Sequence, residues 1–134
     1  MKAVDTTYLI DYLTESAGGP AGKFLERHEN VPLYAPTLVL NEVYRGAIFA
    51  SNADTVDVLA RKLDWLEPLP FTDGSAREAV AIERELKTAG EPINRLDVLI
   101  AGVVRDVGAH LVTRDRHFEK VSGLEVIRYA DESR

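Results

Sequence analysis

The sequence predicts an α/β sandwich in which a central parallel sheet is surrounded by helices. Two observations carry this reading. Short apolar, β-type runs alternate with amphipathic helical stretches along all 134 residues, and acids stand where several of those runs end. Strands that alternate with helices favour parallel crossovers, and the ligand crevice of such a sheet opens beyond the carboxyl ends of its strands. No internal repeat, linker or composition shift divides the chain, so residues 1–134 are expected to form a single domain.

The elements follow in order. Lys2 to Val4 reads as a first strand ending at Asp5, and Tyr8, Leu9, Tyr12 and Leu13 give the next helix its apolar stripe until Gly18-Gly19-Pro20 stops it. Phe24 and Leu25 lie in a second helical stretch. Residues 31–35 read as a strand, and Pro36-Thr37 opens a helix with Thr37 as N-cap. That helix carries Glu42. Val56, Leu59, Leu63 and Leu66 recur at helical spacing, so 52–66 is expected to form the far arm of a helical hairpin. Glu67-Pro68-Leu69-Pro70 reads as an edge strand because of its prolines. Asp73 to Thr88 is helical with Gly90 as its stop, and Asn94 caps an apolar helix over 95–107 that Gly108 ends. His110 to Thr113 is a strand, 115–120 a short helical turn and 124–127 the last strand, with a frayed tail after Tyr129.

Composition bounds the function. The chain is 46% hydrophobic and 28% charged, the profile of a soluble globular protein, and it contains no cysteine, which excludes disulfides and thiolate ligands. The early acid Asp5 breaks any signal-peptide apolar region, and the longest apolar stretch, 98–104, is too short to span a bilayer. A cytoplasmic location without membrane contact is therefore expected. A net charge of -6 argues against the broad basic surface of most non-specific nucleic-acid binders. Part of that excess acid belongs to residues that a bound cation would offset.

Those residues are Asp5, Glu42, Asp97 and Asp115. Each has an ordinary structural reading: Asp5 and Asp115 as helix N-caps, Asp97 in the capping-box position after Asn94, Glu42 as a surface residue. Together they point elsewhere. Glu42 lies among Leu38, Val39 and Val43, and Asp97 precedes Val98-Leu99-Ile100-Ala101, so both sit at the margin of the core, where an unpartnered carboxylate is costly. Gathered carboxylates stay ionised when a hard, oxygen-seeking cation such as Mg²⁺ or Mn²⁺ offsets them.

The segments that hold these acids resemble the four motifs of the PIN-domain ribonucleases, especially the VapC-like toxins of type II toxin-antitoxin systems. Val4-Asp5-Thr6-Thr7 is similar to the first motif, and Asn41-Glu42-Val43-Tyr44-Arg45-Gly46 to the second. Asn94-Arg95-Leu96-Asp97-Val98-Leu99-Ile100-Ala101 resembles the third, and Leu111-Val112-Thr113-Arg114-Asp115-Arg116-His117-Phe118 the fourth. The likeness runs along nearly the whole chain. It implies a PIN-like α/β/α sandwich and a metal-dependent endoribonuclease, with Asp5, Glu42, Asp97 and Asp115 as the catalytic, metal-binding acids, Mg²⁺ or Mn²⁺ as cofactor, and Thr7 and Thr113 as hydroxyls ordering the site. It also implies a homodimer and a VapB-like antitoxin seated in an apolar groove, for which Leu9, Tyr12, Leu13, Phe24 and Tyr44 are the candidate residues.

Cutting a phosphodiester requires its charge neutralised and a water deprotonated, and a divalent ion does both without a nucleophilic side chain. Either Asp97 or Glu42 is expected to help take the water's proton. Arg95 and Arg114 are the favoured phosphate contacts among the cations that flank the motifs, and His117 is set aside as a polar neighbour. Two alternatives remain open. One is a catalytically silent PIN fold that binds protein, and the other a phosphoacceptor receiver-like domain, although no adjacent pair of acids follows the first strand.

Overall fold

Five strands, β1 (Lys2–Val4), β2 (Leu33–Pro36), β3 (Glu67–Leu69), β4 (His110–Thr113) and β5 (Glu125–Arg128), form one parallel sheet in the order β3-β2-β1-β4-β5. The computed structural model describes residues 1–49 and 54–132. Between the strands run α1 (Thr6–Thr14), α2 (Pro20–Arg27), α3 (Thr37–Phe49), α4 (Val56–Lys62), α5 (Asp73–Thr88), α6 (Arg95–Asp106), a 3₁₀ turn (Arg116–Lys120) and the terminal α7 (Tyr129–Glu132).

The central strands β2, β1 and β4 bury residues on both faces, while the edge strands β3 and β5 stay partly exposed, and alternation along each strand decides which layer a residue joins. Ala3 and Leu111 face α5 and α6, where Ala79, Ile82, Leu86, Val98, Ala101 and Val104 complete one core. Val4 and Val112, one position on, face the other way onto Tyr8, Leu9, Phe24, Val39 and Tyr129. The predicted α/β/α sandwich is therefore what the chain forms. Gly102 lets α5 and α6 close upon each other: a Cβ there would stand 2.8 Å from the Ser75 carbonyl oxygen and 2.9 Å from the Ala79 Cβ.

The strand order places the crevice. From β1 the chain steps outward to β2 and β3, then returns across β1 to β4 and β5 on the other side. Connections leave β1 and β4 in opposite directions, and the carboxyl ends of these neighbours form the topological switch point at which open α/β sheets bind ligands. Asp5 follows β1 and Asp115 follows β4.

Several boundaries move relative to the sequence reading. Val31 is exposed, β2 begins at Leu33 and runs through Pro36, and Thr37 is the first residue of α3 rather than its cap. The helix expected from residue 52 starts at Val56, capped by the Thr55 hydroxyl, and residue 52 itself lies outside the described residues. The last strand is shifted by one residue, to Glu125–Arg128. The tail after Tyr129 is not frayed through 132: it makes a helical turn, because Tyr129 is wholly buried against Tyr8 and anchors it.

Candidate active site at the carboxyl edge of the sheet

Asp5 continues the sheet by one residue, its N–H donating to the Val112 carbonyl at 3.1 Å, and then turns into α1 as its N-cap. Its Oδ1 accepts from the Tyr8 N–H at 3.1 Å and the Thr7 hydroxyl at 2.7 Å, and its Oδ2 accepts from the Thr113 hydroxyl. A hydroxyl has one proton to give. Having spent it on Asp5, Thr7 accepts the Arg114 N–H at 3.1 Å and Thr113 accepts the Asp115 N–H at 3.0 Å. The two threonines thus fasten the carboxylate of the first motif to the backbone of the fourth. Burial, aided weakly by the negative charge of Asp115, outweighs these three donors and pushes the Asp5 carboxyl up to about 6.

The other three acids are each held by partners of their own. Glu42, half-buried on α3, accepts from the hydroxyl of Thr6. Asp97 sits in the first turn of α6, where Asn94 Oδ1 accepts its N–H at 3.0 Å and Asn94 Nδ2 donates back to its Oδ2 at 2.6 Å. Asp5 is an N-cap as read from the sequence, whereas Asp97 stands at the capping-box position with its carboxylate on the Asn94 side-chain amide instead of the Asn94 backbone N–H. Asp115 occupies the cap position of the 3₁₀ turn without making a side-chain cap bond, and its side chain is 41% exposed.

His117 links the last two acids. Its Nε2 is 2.8 Å from Asp97 Oδ2 and its Nδ1 is 4.0 Å from Asp115 Oδ2. Sequence reasoning set this residue aside because a lone histidine in a short turn has no local signal. Thr6, too, was passed over, and only its position after Asp5 hinted at the bond to Glu42. Of the two favoured cations, Arg95 reaches Glu83 at 3.3 Å, while Arg114 Nη1 donates to both oxygens of Asp11, at 2.9 and 2.8 Å.

The groove needs a correction. Leu9 and Phe24 are wholly buried in the core and cannot line a surface; each lies on the side of its helix that faces the sheet. Tyr12 is half-buried with its ring 5.1 Å from that of Trp65, and Tyr44 is half-buried. Leu13 does line a groove, a cavity of about 310 Å³ between α1, α3 and α4 whose other apolar walls are Ile10, Val43, Ala47 and Leu59. Glu42 is among its lining residues, so the groove opens onto the acidic edge.

Comparison with known proteins agrees with this geometry. The sequence model of the PIN domain matches residues 2–124. The chain belongs to the PIN-domain family. The receiver-domain alternative falls with that assignment. Solved structures add the fold of toxin-antitoxin complexes: VapBC2 from Rickettsia felis, bound to a DNA fragment from its promoter, superposes with a TM-score of 0.85 at 20% identity, covering 94% of this chain and 96% of that one. FitAcB from Neisseria gonorrhoeae gives 0.83 at 21% identity over 96% and 98%, and a toxin-antitoxin complex from Klebsiella pneumoniae 0.76 at 21% identity over 96% and 98%. At such identities the likeness is one of fold. No curated protein sequence matches the chain.

Asp5, Glu42, Asp97 and Asp115 are hard oxygen donors with the His117 imidazole beside two of them, and among the described residues no cationic side chain bonds to the buried Asp5, a donor set that suits Mg²⁺ or Mn²⁺ in kind. Among the described residues, no three acid or histidine side chains already converge as ligands would. Asp97 Oδ2 in particular is engaged by two donors, Asn94 and His117.

Proposed function

We propose that this PIN domain is a metal-dependent endoribonuclease of the VapC toxin type. The observation that supports it most is the buried Asp5 carboxylate at the switch point, locked by Thr7 and Thr113, with the charge of Asp115 close enough to act on it. A bound Mg²⁺ or Mn²⁺ would neutralise the phosphodiester and acidify a water. Asp5, Glu42, Asp97 and Asp115 would hold it. The chain's own contribution is preorganisation: each threonine fixes one Asp5 oxygen, Thr6 orients Glu42, and His117 and Asn94 orient Asp97. Asp97 or Glu42 then accepts the proton of the attacking water, while Arg95 and Arg114 contact substrate phosphates.

The toxin reading further proposes a cytoplasmic homodimer held inactive by a VapB-like antitoxin. The groove over Ile10, Leu13, Val43, Ala47 and Leu59 suits an apolar antitoxin segment, and Glu42 within it offers a basic side chain its partner. One observation favours the silent, protein-binding alternative, namely that the acids do not converge as they stand.

Incubating a mixed cellular RNA pool with the purified protein in Mn²⁺, Mg²⁺ or chelator, beside an Asp97→Asn variant, decides between the two. Discrete products that vanish with chelator and in the variant are expected. Intact RNA under every condition, from folded and antitoxin-free protein, would leave only the binding module.

A further inference from the structure

We infer that Asp11 and Tyr129 are positioning residues that hold the Arg114 guanidinium beside the acidic site, as a clamp for an RNA phosphate adjacent to the one that is cut. The inference rests on the ribonuclease reading. Thr7 and Asp11 are four residues apart and therefore share one face of α1. Both grip residue 114: the Thr7 hydroxyl accepts its backbone N–H, and the Asp11 carboxylate accepts Nη1. Asp11 is in turn fixed by the phenol of Tyr129, which donates to its Oδ2 and lies 3.3 Å from the Thr7 carbonyl oxygen. Tyr129 is wholly buried, so this part of the network is rigid.

The network differs from an ordinary surface ion pair in what it leaves unused. Only Nη1 of Arg114 bonds to Asp11. Among the described residues, its Nε and Nη2 donors have no protein partner, and the side chain is 52% exposed. A guanidinium presents donors in a planar fork suited to phosphate, and one held on a single nitrogen meets its ligand with less ordering cost than a free one. The Arg114 backbone N–H bonds to the same Thr7 hydroxyl that holds Asp5, which roots this side chain next to the buried acid.

The test is the binding of a mixed-sequence single-stranded RNA oligonucleotide in chelator, by fluorescence anisotropy at several salt concentrations, together with KM for any RNA the wild type cuts. Simple charge bookkeeping says that Asp11→Asn removes a repulsive acid and tightens binding; the positioning role says the opposite. Arg114→Ala and Asp11→Asn are each expected to weaken binding about tenfold, with the salt slope falling by about one for Arg114→Ala. Tyr129→Phe should weaken it about threefold at nearly unchanged kcat. The deciding result is the double variant. If Asp11→Asn adds nothing in the Arg114→Ala background, it acts through Arg114. An equal loss in both backgrounds, or tighter binding by Asp11→Asn, overturns the inference. A wild type that binds in this pattern yet cuts no RNA would sink the nuclease reading and leave the clamp standing.

Discussion

Asp5 concentrates the chemistry of the site in one side chain. Its carboxyl stands near 6 where an ordinary aspartate stands at 3.8, because burial disfavours the charge more than its three donors favour it. A folded-state pKa raised above the unfolded one means that ionisation costs stability. The cost is absent below about pH 4, grows as pH rises, and is complete above about 6, where it amounts to about 3 kcal/mol. Asp5→Asn should therefore abolish cleavage while stabilising the cation-free protein at pH 7.5 by about 1 to 3 kcal/mol, with the advantage shrinking toward pH 4. Parallel urea melts across that range check it, and a variant less stable at every pH would refute the account. A cation that lodges at Asp5 must displace its proton, so the rise in Tm produced by Mn²⁺ should fade as pH drops below 6.

Helix termini are where elements become a site. Asp5 caps α1 and Asp97 lies in the capping turn of α6, and each carboxylate is held in place by bonds within its own helix start. Asn94→Ala should cost about 1 kcal/mol as a lost cap and also free Asp97 of one donor, so a melt and a cleavage assay are expected to change together. Gly102 governs a different joint. Gly102→Ala gains helix propensity of about 1 kcal/mol, but its Cβ collides with the backbone of α5, at a cost of about 1 to 3 kcal/mol. A lower melting temperature is expected, and a higher one would mean that α5 and α6 are not so closely packed. The Asp5 and Asn94 caps, the glycine stops and the apolar stripes were legible in the sequence, since each is a local rule. The moved boundaries were not: the helix starting at Val56 and the strand running through Pro36 depend on neighbours elsewhere in the chain.

For the molecule as a whole, the groove and the acidic edge are one surface. Ile10 is 47% exposed on the groove wall, so Ile10→Glu should leave folding and RNA cleavage intact while relieving inhibition by a cognate antitoxin, read by titrating antitoxin into the cleavage assay. Undiminished inhibition would move the partner to another face. Sequence alone determined the layered α/β order and the family, because alternation, caps and short motifs are local patterns that survive without coordinates. It did not determine that Leu9 and Phe24 turn inward, since a helical stripe has two edges and only packing selects the one that meets the sheet. Nor could it join Asp11 to Tyr129, 118 positions apart, or His117 to Asp97. Those bonds exist because parallel pairing sets β1, β4 and β5 side by side and brings the segments around them together. That pairing is a property of the folded sheet alone.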